Sequence, residues 1–170
     1  MHSFASHHAG GAGIGTIQDD KDKKGCPDMR QTPADIALEI IDEFSFFDDW
    51  ADKYQHLIDQ GRHLPELDDA YRQEAYILKG CQSVVYFAHD IDDEGRLIFH
   101  ASSDAAIVQG LVALLLRVYS GQRPSDIMAT DASFVGQIGL DKHLSATRKT
   151  GLASMVSAIH KAASDAINSA

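Results

Sequence analysis

Gly80-Cys81-Gln82-Ser83 runs straight into Val84-Val85-Tyr86-Phe87. The second half is a β-branched and aromatic run of the kind that forms strands. The first half reads as a turn, with a glycine free to take positive φ followed by small polar residues. Asp92-Asp93-Glu94-Gly95 is a second turn signal, dividing strands expected at 84–90 and 96–101. A short strand at 76–78 is expected ahead of the cysteine turn. The middle of the chain therefore predicts a small antiparallel sheet, with Cys81 presented on a turn at its entrance rather than packed.

Helical patterns lie on both sides of this sheet. Thr32 suits an N-cap and Pro33 the first turn behind it, and Ile36, Ile40, Ile41 and Phe44 recur at helical spacing. A second helix is expected over 48–60, with Gly61 as its C-terminal cap. The two form a helical hairpin, followed by a loop at Leu64-Pro65-Glu66-Leu67. Beyond the sheet, Asp104 is placed to cap a helix that runs to Tyr119. That helix is apolar on nearly every side and should be central and buried. Gly121 ends it. Short helices are expected over 124–129 and 133–138, and a last helix from Ser145 to about residue 166. Gly110 and Gly151 fall inside helices, where each costs ~1 kcal/mol against alanine; close helix–helix packing would explain both. The fold class is α+β: a small antiparallel β-sheet packed with several α-helices.

A chain of 170 residues with 44% hydrophobic content can bury one real core. Residues 1–31 are poor in large apolar side chains and read as a disordered tail or an added remnant, leaving 32–170 as the domain. His2, His7 and His8 offer too few organised ligands for a metal site, and none is expected elsewhere. A formal net charge of −10 argues against nucleic acid and anionic membrane as partners. The charge is concentrated between residues 35 and 74, with 12 acidic against 3 basic side chains. The ordinary reading is a solvated face; steering of a basic partner is the alternative. No apolar run reaches membrane-spanning length, since Arg117 interrupts the longest, and residues 1–30 lack a secretory core. The expectation is a cytoplasmic protein with reduced thiols.

The two cysteines, Cys26 and Cys81, are no disulfide framework. Cys26 sits in the polar tail between Gly25 and Pro27. A buried cysteine is usually a small inert hydrophobe, but Gly80 frees the backbone at Cys81 and lets a partner approach. Gln82 and Ser83 can hydrogen-bond the turn or an incoming group. Only a thiolate attacks, and an unperturbed cysteine is a few per cent thiolate at neutral pH. Lys79 is the only cation adjacent in sequence. His89 and His100 are expected to face solvent across the hairpin, and His143 and His160 are distant. A thiol without a base of its own fits activation inside a partner's site. One folded-region cysteine cannot hold an iron–sulfur cluster in the usual way.

Arg148 and Lys149 fall in the first turns of the last helix, where cations oppose the helix dipole at roughly 0.3–1 kcal/mol each. That placement suggests contact with a carboxylate, against the plainer reading of a surface basic pair. Asp104 has a sound structural role as a cap, and the hairpin returns the chain from it toward the cysteine turn.

The cysteine turn, the block from Ser103 to Leu111, the block from Leu144 to Leu152, Trp50 with Tyr54, and Leu64-Pro65-Glu66-Leu67 occur together over about 35–165. In this order the chain resembles the SufE family, whose fold resembles IscU-type scaffolds. Tyr86 stands where the family commonly has Trp, Lys79 where small or uncharged residues are frequent, and the tail has no counterpart. The related CsdE branch is close, but Gln82-Ser83 after the cysteine favours SufE proper. The resemblance implies that Cys81 accepts sulfane sulfur from a SufS-like cysteine desulfurase, stimulates that enzyme, and passes the sulfur to a SufBCD-like scaffold complex. It makes Gly80, Gln82 and Ser83 the surroundings of the acceptor, and Asp104 and Arg148 candidates for loop control or partner contact. The chain needs no cofactor of its own on this reading; pyridoxal phosphate belongs to the desulfurase. It is a co-substrate and activator more than an enzyme. Its loop should be mobile and, at rest, fold inward to shield the thiol. Self-association as a homodimer is open. Two other readings stand beside it: a self-contained cysteine-nucleophile transferase or hydrolase, and a binding module with an incidental cysteine.

Overall fold

The computed structural model describes residues 30–170. The stretch expected as a tail, with Cys26 and the three early histidines, lies outside the described residues up to residue 29.

Helix α1, Pro33–Ser45, opens on a reciprocal cap: the Thr32 hydroxyl accepts from Asp35 N, and the Asp35 carboxylate accepts from Thr32 N. Its Ala37, Ile40 and Phe44 enter the core. Helix α2, Trp50–Arg62, is capped by Asp49 and packs most extensively against α3, Ala106–Tyr119. Gly61 is not a terminal cap as expected. It is a buried helical residue, and its absent Cβ would meet the Gly110 amide nitrogen at 2.7 Å. A Cβ on Gly110 would meet the Leu57 carbonyl oxygen at 2.4 Å. The two glycines let the α2 and α3 backbones touch.

Strands β1, Val85–Ile91, and β2, Leu97–Ser103, form a two-stranded antiparallel sheet with Val85 opposite Ser103 and Ile91 opposite Leu97. Asp92 builds the connecting turn, its Oδ1 accepting from Glu94 N at 2.9 Å and Arg96 N at 2.8 Å. The short strand expected at 76–78 is reduced to a 3-10 turn, Glu74–Tyr76, followed by a single bridge from Ile77 to Tyr86.

The core gathers on α3, which buries Leu111, Val112, Leu114, Leu115, Val118 and Tyr119. Asp104 does not cap it. The helix starts one residue later, after Ala105, and Asp104 is exposed. Ser103 serves that corner instead: its Oγ accepts from Ala105 N at 3.3 Å, while the Gln109 side chain accepts from Ser103 N at 2.7 Å.

Short helices α4, Pro124–Met128, α5, Phe134–Gln137, and α6, Leu140–His143, lead to α7, Ala146–Asn168. Hydrophobic periodicity carries no sign of α6, which is a single turn entered through Gly139 at φ +84. The ring of Trp50 lies there, and a Cβ on Gly139 would meet it at 3.0 Å. No described helix is long and apolar enough to cross a membrane. The architecture is α+β, with seven α-helices and one small antiparallel sheet among the described residues.

Candidate functional site around Cys81

The loop over residues 79–84 joins the 3-10 turn to β1. The Leu78 amide donates to the Val85 carbonyl at 2.8 Å and closes it. Gly80 sits at φ +94, a conformation that a side chain disfavours. This turns the chain so that Cys81 points inward, unlike the presented thiol read from the turn alone and as the resting position expected of a shielding loop. The residue is half-buried and packs against the hydrophobic core. Its thiol donates to the Gly151 carbonyl, with Sγ 3.7 Å from the oxygen. Burial pushes the Cys81 thiol above its ordinary value, so the neutral form is favoured in this position.

Beside the thiol is a cavity of about 280 Å³. Gln82 and Ser83 of the loop face it, with Val108 and Leu111 of α3 and Met155 of α7 as its apolar lining. Ser145, Thr147 and Arg148 form the wall at the start of α7. Ser145 caps that helix, its Oγ accepting from Arg148 N at 3.3 Å. The structure thus brings Cys81, Gln82, Ser83 and Arg148 to one cavity, while Gly80 turns the loop but does not line the cavity. Asp104 does not line it either.

Arg148 and Lys149, adjacent in sequence, diverge. Arg148 borders the cysteine cavity, whereas Lys149 borders a groove of about 840 Å³ on another face of α7 with Val135, Leu152 and Val156. The groove is larger but holds no nucleophilic thiol, so the smaller cavity is the candidate site.

Among the described residues, no histidine lines the cysteine cavity. His56 pairs with Glu43, which also binds Arg117 at 2.8 Å and is held below the usual carboxylate range by those two partners against its own burial. His100 keeps part of its ring in solvent, as expected, and shields the rest. It is half-buried, stacks on Tyr71 and binds Asp90 at 3.0 Å, while His89 is exposed. His160 reaches the Thr130 carbonyl. Lys79 is exposed and also outside the cavity lining. Among the described residues no three His, Cys, Asp or Glu side chains converge as a metal site.

Sequence reasoning missed two features of this site. Gly151 was expected to serve helix–helix packing, but what it makes room for is Cys81: a Cβ there would lie 3.3 Å from Sγ. Its cost inside a helix was the available signal, without the partner. The second feature is a clamp on the corner before α7. His143 stacks on Trp50 with ring centroids 3.5 Å apart, and the Tyr54 hydroxyl donates to the His143 carbonyl. The Trp50–Tyr54 pair of α2 thereby positions the segment that leads to Ser145 and Arg148.

Residues 38–163 match the SufE family, described as the Fe-S metabolism associated domain. An uncharacterized SufE-like protein of Rhizobium meliloti is 43% identical over 122 residues, covering 69% of this chain and 87% of its own length. Another, from Rhizobium etli, is 43% identical over 129 residues, covering 74% of this chain and 87% of itself. The solution structure of a hypothetical protein from Thermus thermophilus superposes with a TM-score of 0.67 over 82% of this chain and 99% of that one, at 16% identity. That structure shares the fold. With a family match over most of the folded unit and relatives this similar, the chain belongs to the SufE family of iron–sulfur metabolism.

Proposed function

We propose that this protein is a sulfur carrier. Its Cys81 accepts sulfur from a cysteine desulfurase, stimulates that enzyme by clearing its persulfide, and delivers the sulfur to an iron–sulfur cluster scaffold. The observation that carries this reading is the setting of Cys81: a thiol on a loop turned at Gly80, beside a small cavity that holds no histidine among the described residues. A self-contained hydrolase or transferase needs a base within hydrogen-bond reach of its nucleophile. Cys81 instead donates to a backbone carbonyl, and burial favours its neutral form. Such a thiol gains reactivity when the loop leaves its seat and enters a partner's site.

The transfer is an exchange at sulfur. The Cys81 thiolate attacks the outer sulfur of the desulfurase persulfide. A new S–S bond forms on Cys81, the original S–S bond breaks, and the desulfurase thiolate leaves with the electron pair. The proton lost by Cys81 balances the one taken up by the desulfurase, and no external oxidant or reductant is consumed. Arg148, exposed at the cavity wall, is the residue we assign to partner contact.

The test is mass spectrometry after incubation with a desulfurase and cysteine. One or more added sulfurs should map to the Cys81 peptide and not to the Cys26 peptide, and Cys81→Ser should lose the multiple-turnover stimulation. Full stimulation by Cys81→Ser would overturn the acceptor role and favour a binding module.

A further inference from the structure

The loop and α7 meet at two glycines. Gly80 lies against Ser154, whose Oγ a Cβ on Gly80 would meet at 2.6 Å. Gly151 lies against Cys81, and the three nearest atoms its Cβ would meet, Sγ at 3.3 Å, Cβ at 3.8 Å and Cα at 3.9 Å, all belong to that cysteine. Gly151 and Ser154 are one turn apart on a single face of α7. Ser154 is turned back on its own helix, donating to the Thr150 carbonyl at 3.0 Å. The loop therefore rests on α7 through a pair of side-chain-free contacts, one from each partner surface.

Gly151 has no other explanation in the fold. It is a buried residue of a 23-residue helix, where alanine is the better helix former. No positive φ requires glycine there, and among the described residues no neighbouring helix occupies the space of its missing side chain. Only Cys81 does.

We propose that Gly151 is the positioning residue of this site: its bare Cα and its carbonyl form the seat that holds Cys81 inward, and the size of residue 151 sets how much of the time the thiol is withdrawn from solvent. The proposal takes from the carrier reading only that Cys81 is the reactive thiol. The seat gives the loop two states of defined contact, docked through Gly80 and Gly151 or released, so exposure of the thiol is a property of α7 as well as of the loop.

The experiment measures the rate of Cys81 alkylation by iodoacetamide in the full chain carrying Cys26→Ser, so that Cys81 is the only thiol. It compares Gly151, Gly151→Ala and Gly151→Val, with melting temperature and circular dichroism on each. Alanine requires the thiol to shift by a few tenths of an ångström, and valine fills the seat. The expected result is a graded rise, about five-fold or more for valine and intermediate for alanine, as overpacking of a close contact implies. Melting temperatures should stay near that of the parent, since α7 gains helix propensity at this position. A residue of purely structural importance would lower the melting temperature without this grading. If neither folded variant is alkylated faster than the parent, the proposal is overturned. The alanine variant, favoured in a helix, keeps that outcome available should valine impair folding. No desulfurase enters the assay, so its failure would leave the carrier role untouched, and failure of the carrier role would leave this result standing.

Discussion

Cys81 Sγ lies 3.7 Å from the carbonyl oxygen of Gly151 and donates its proton to it, joining the loop ahead of β1 to the first turns of α7 across 70 positions of sequence. The bond needs the neutral thiol. Ionisation breaks it and places a negative charge in a half-buried pocket where Arg148 is the one charged lining residue among those described. Reactivity and protonation are thereby tied to loop position.

The first prediction follows from the sign of that coupling. Burial raises the Cys81 pKa, so the folded chain favours the protonated form more than the unfolded chain does. The resulting stability is complete below the unfolded value, about 8.5 for a free cysteine, and is lost as pH rises through the folded one. In a Cys26→Ser background, alkylation of Cys81 should therefore rise with pH to a midpoint above about 8.5. The same chain in urea should react faster at about pH 7.5, below either midpoint, because unfolding restores the lower pKa. A folded midpoint at or below the free-cysteine value would show that the thiol spends most of its time out of its seat.

Loop dynamics can be read separately. The loop at 79–84 hangs between the Leu78–Val85 bond and a glycine at positive φ, whereas Val85, Tyr86 and Phe87 are paired along the hairpin. Hydrogen exchange at residues 80–83 should be faster than at 85–87. Equal and strong protection in both stretches, also with a desulfurase bound, would sink the idea of a loop that leaves its seat.

The α2–α3 crossing makes a prediction about folding alone. A Cβ on Gly110 would stand 2.4 Å from the Leu57 carbonyl oxygen and 2.7 Å from Leu57 Cγ. Backbone on backbone leaves little room to relax. Gly110→Ala should lose roughly 1–3 kcal/mol to overpacking, against a gain of ~1 kcal/mol in helix propensity. A net fall of several degrees in melting temperature is expected, with the Cys81 alkylation rate at low temperature unchanged. A variant as stable as the parent would mean that the helices separate at no cost.

The same crossing shows why some of this was legible in the sequence and some was not. Period and turn chemistry are local, so the helix at 33–45, the hairpin with its Asp92–Gly95 turn, and the buried α3 could be read directly. Gly61 looked like a helix end because glycine usually is one; its real partner, Gly110, is remote in sequence. Asp104 had the right residue type for a cap, but Ser103 and Gln109 satisfy that corner one step away. Cys81, Gln82, Ser83 and Arg148 were picked out by local chemistry and motif, and they do line one cavity. The turn residues alone suggest a presented thiol, and the inward resting position follows only from the family resemblance, because Gly151 and Ser154, which receive the loop, belong to a helix far along the chain. The Trp50–His143 stack was hidden for the same reason.

Arg148 makes the last prediction. It lies in the first turn of α7, where its charge opposes the helix dipole at roughly 0.3–1 kcal/mol. Its backbone amide is satisfied by Ser145, and this contact does not depend on the side chain. The side chain is exposed at the mouth of the cysteine cavity. Arg148→Ala should therefore keep the melting temperature within a few degrees, as an exposed substitution worth about ±0.5 kcal/mol does. The loss should fall on stimulation of the desulfurase, through a weaker complex, and Arg148→Lys should restore only part of it because a lysine cannot make the two parallel hydrogen bonds of a guanidinium. Raising salt from low to physiological strength should weaken the parent in the same direction, with the alanine variant less sensitive. Titration of desulfurase activity against each variant at two salt concentrations separates these cases. A variant that melts far lower would make Arg148 a part of the fold, and one that stimulates like the parent would remove it from the contact surface.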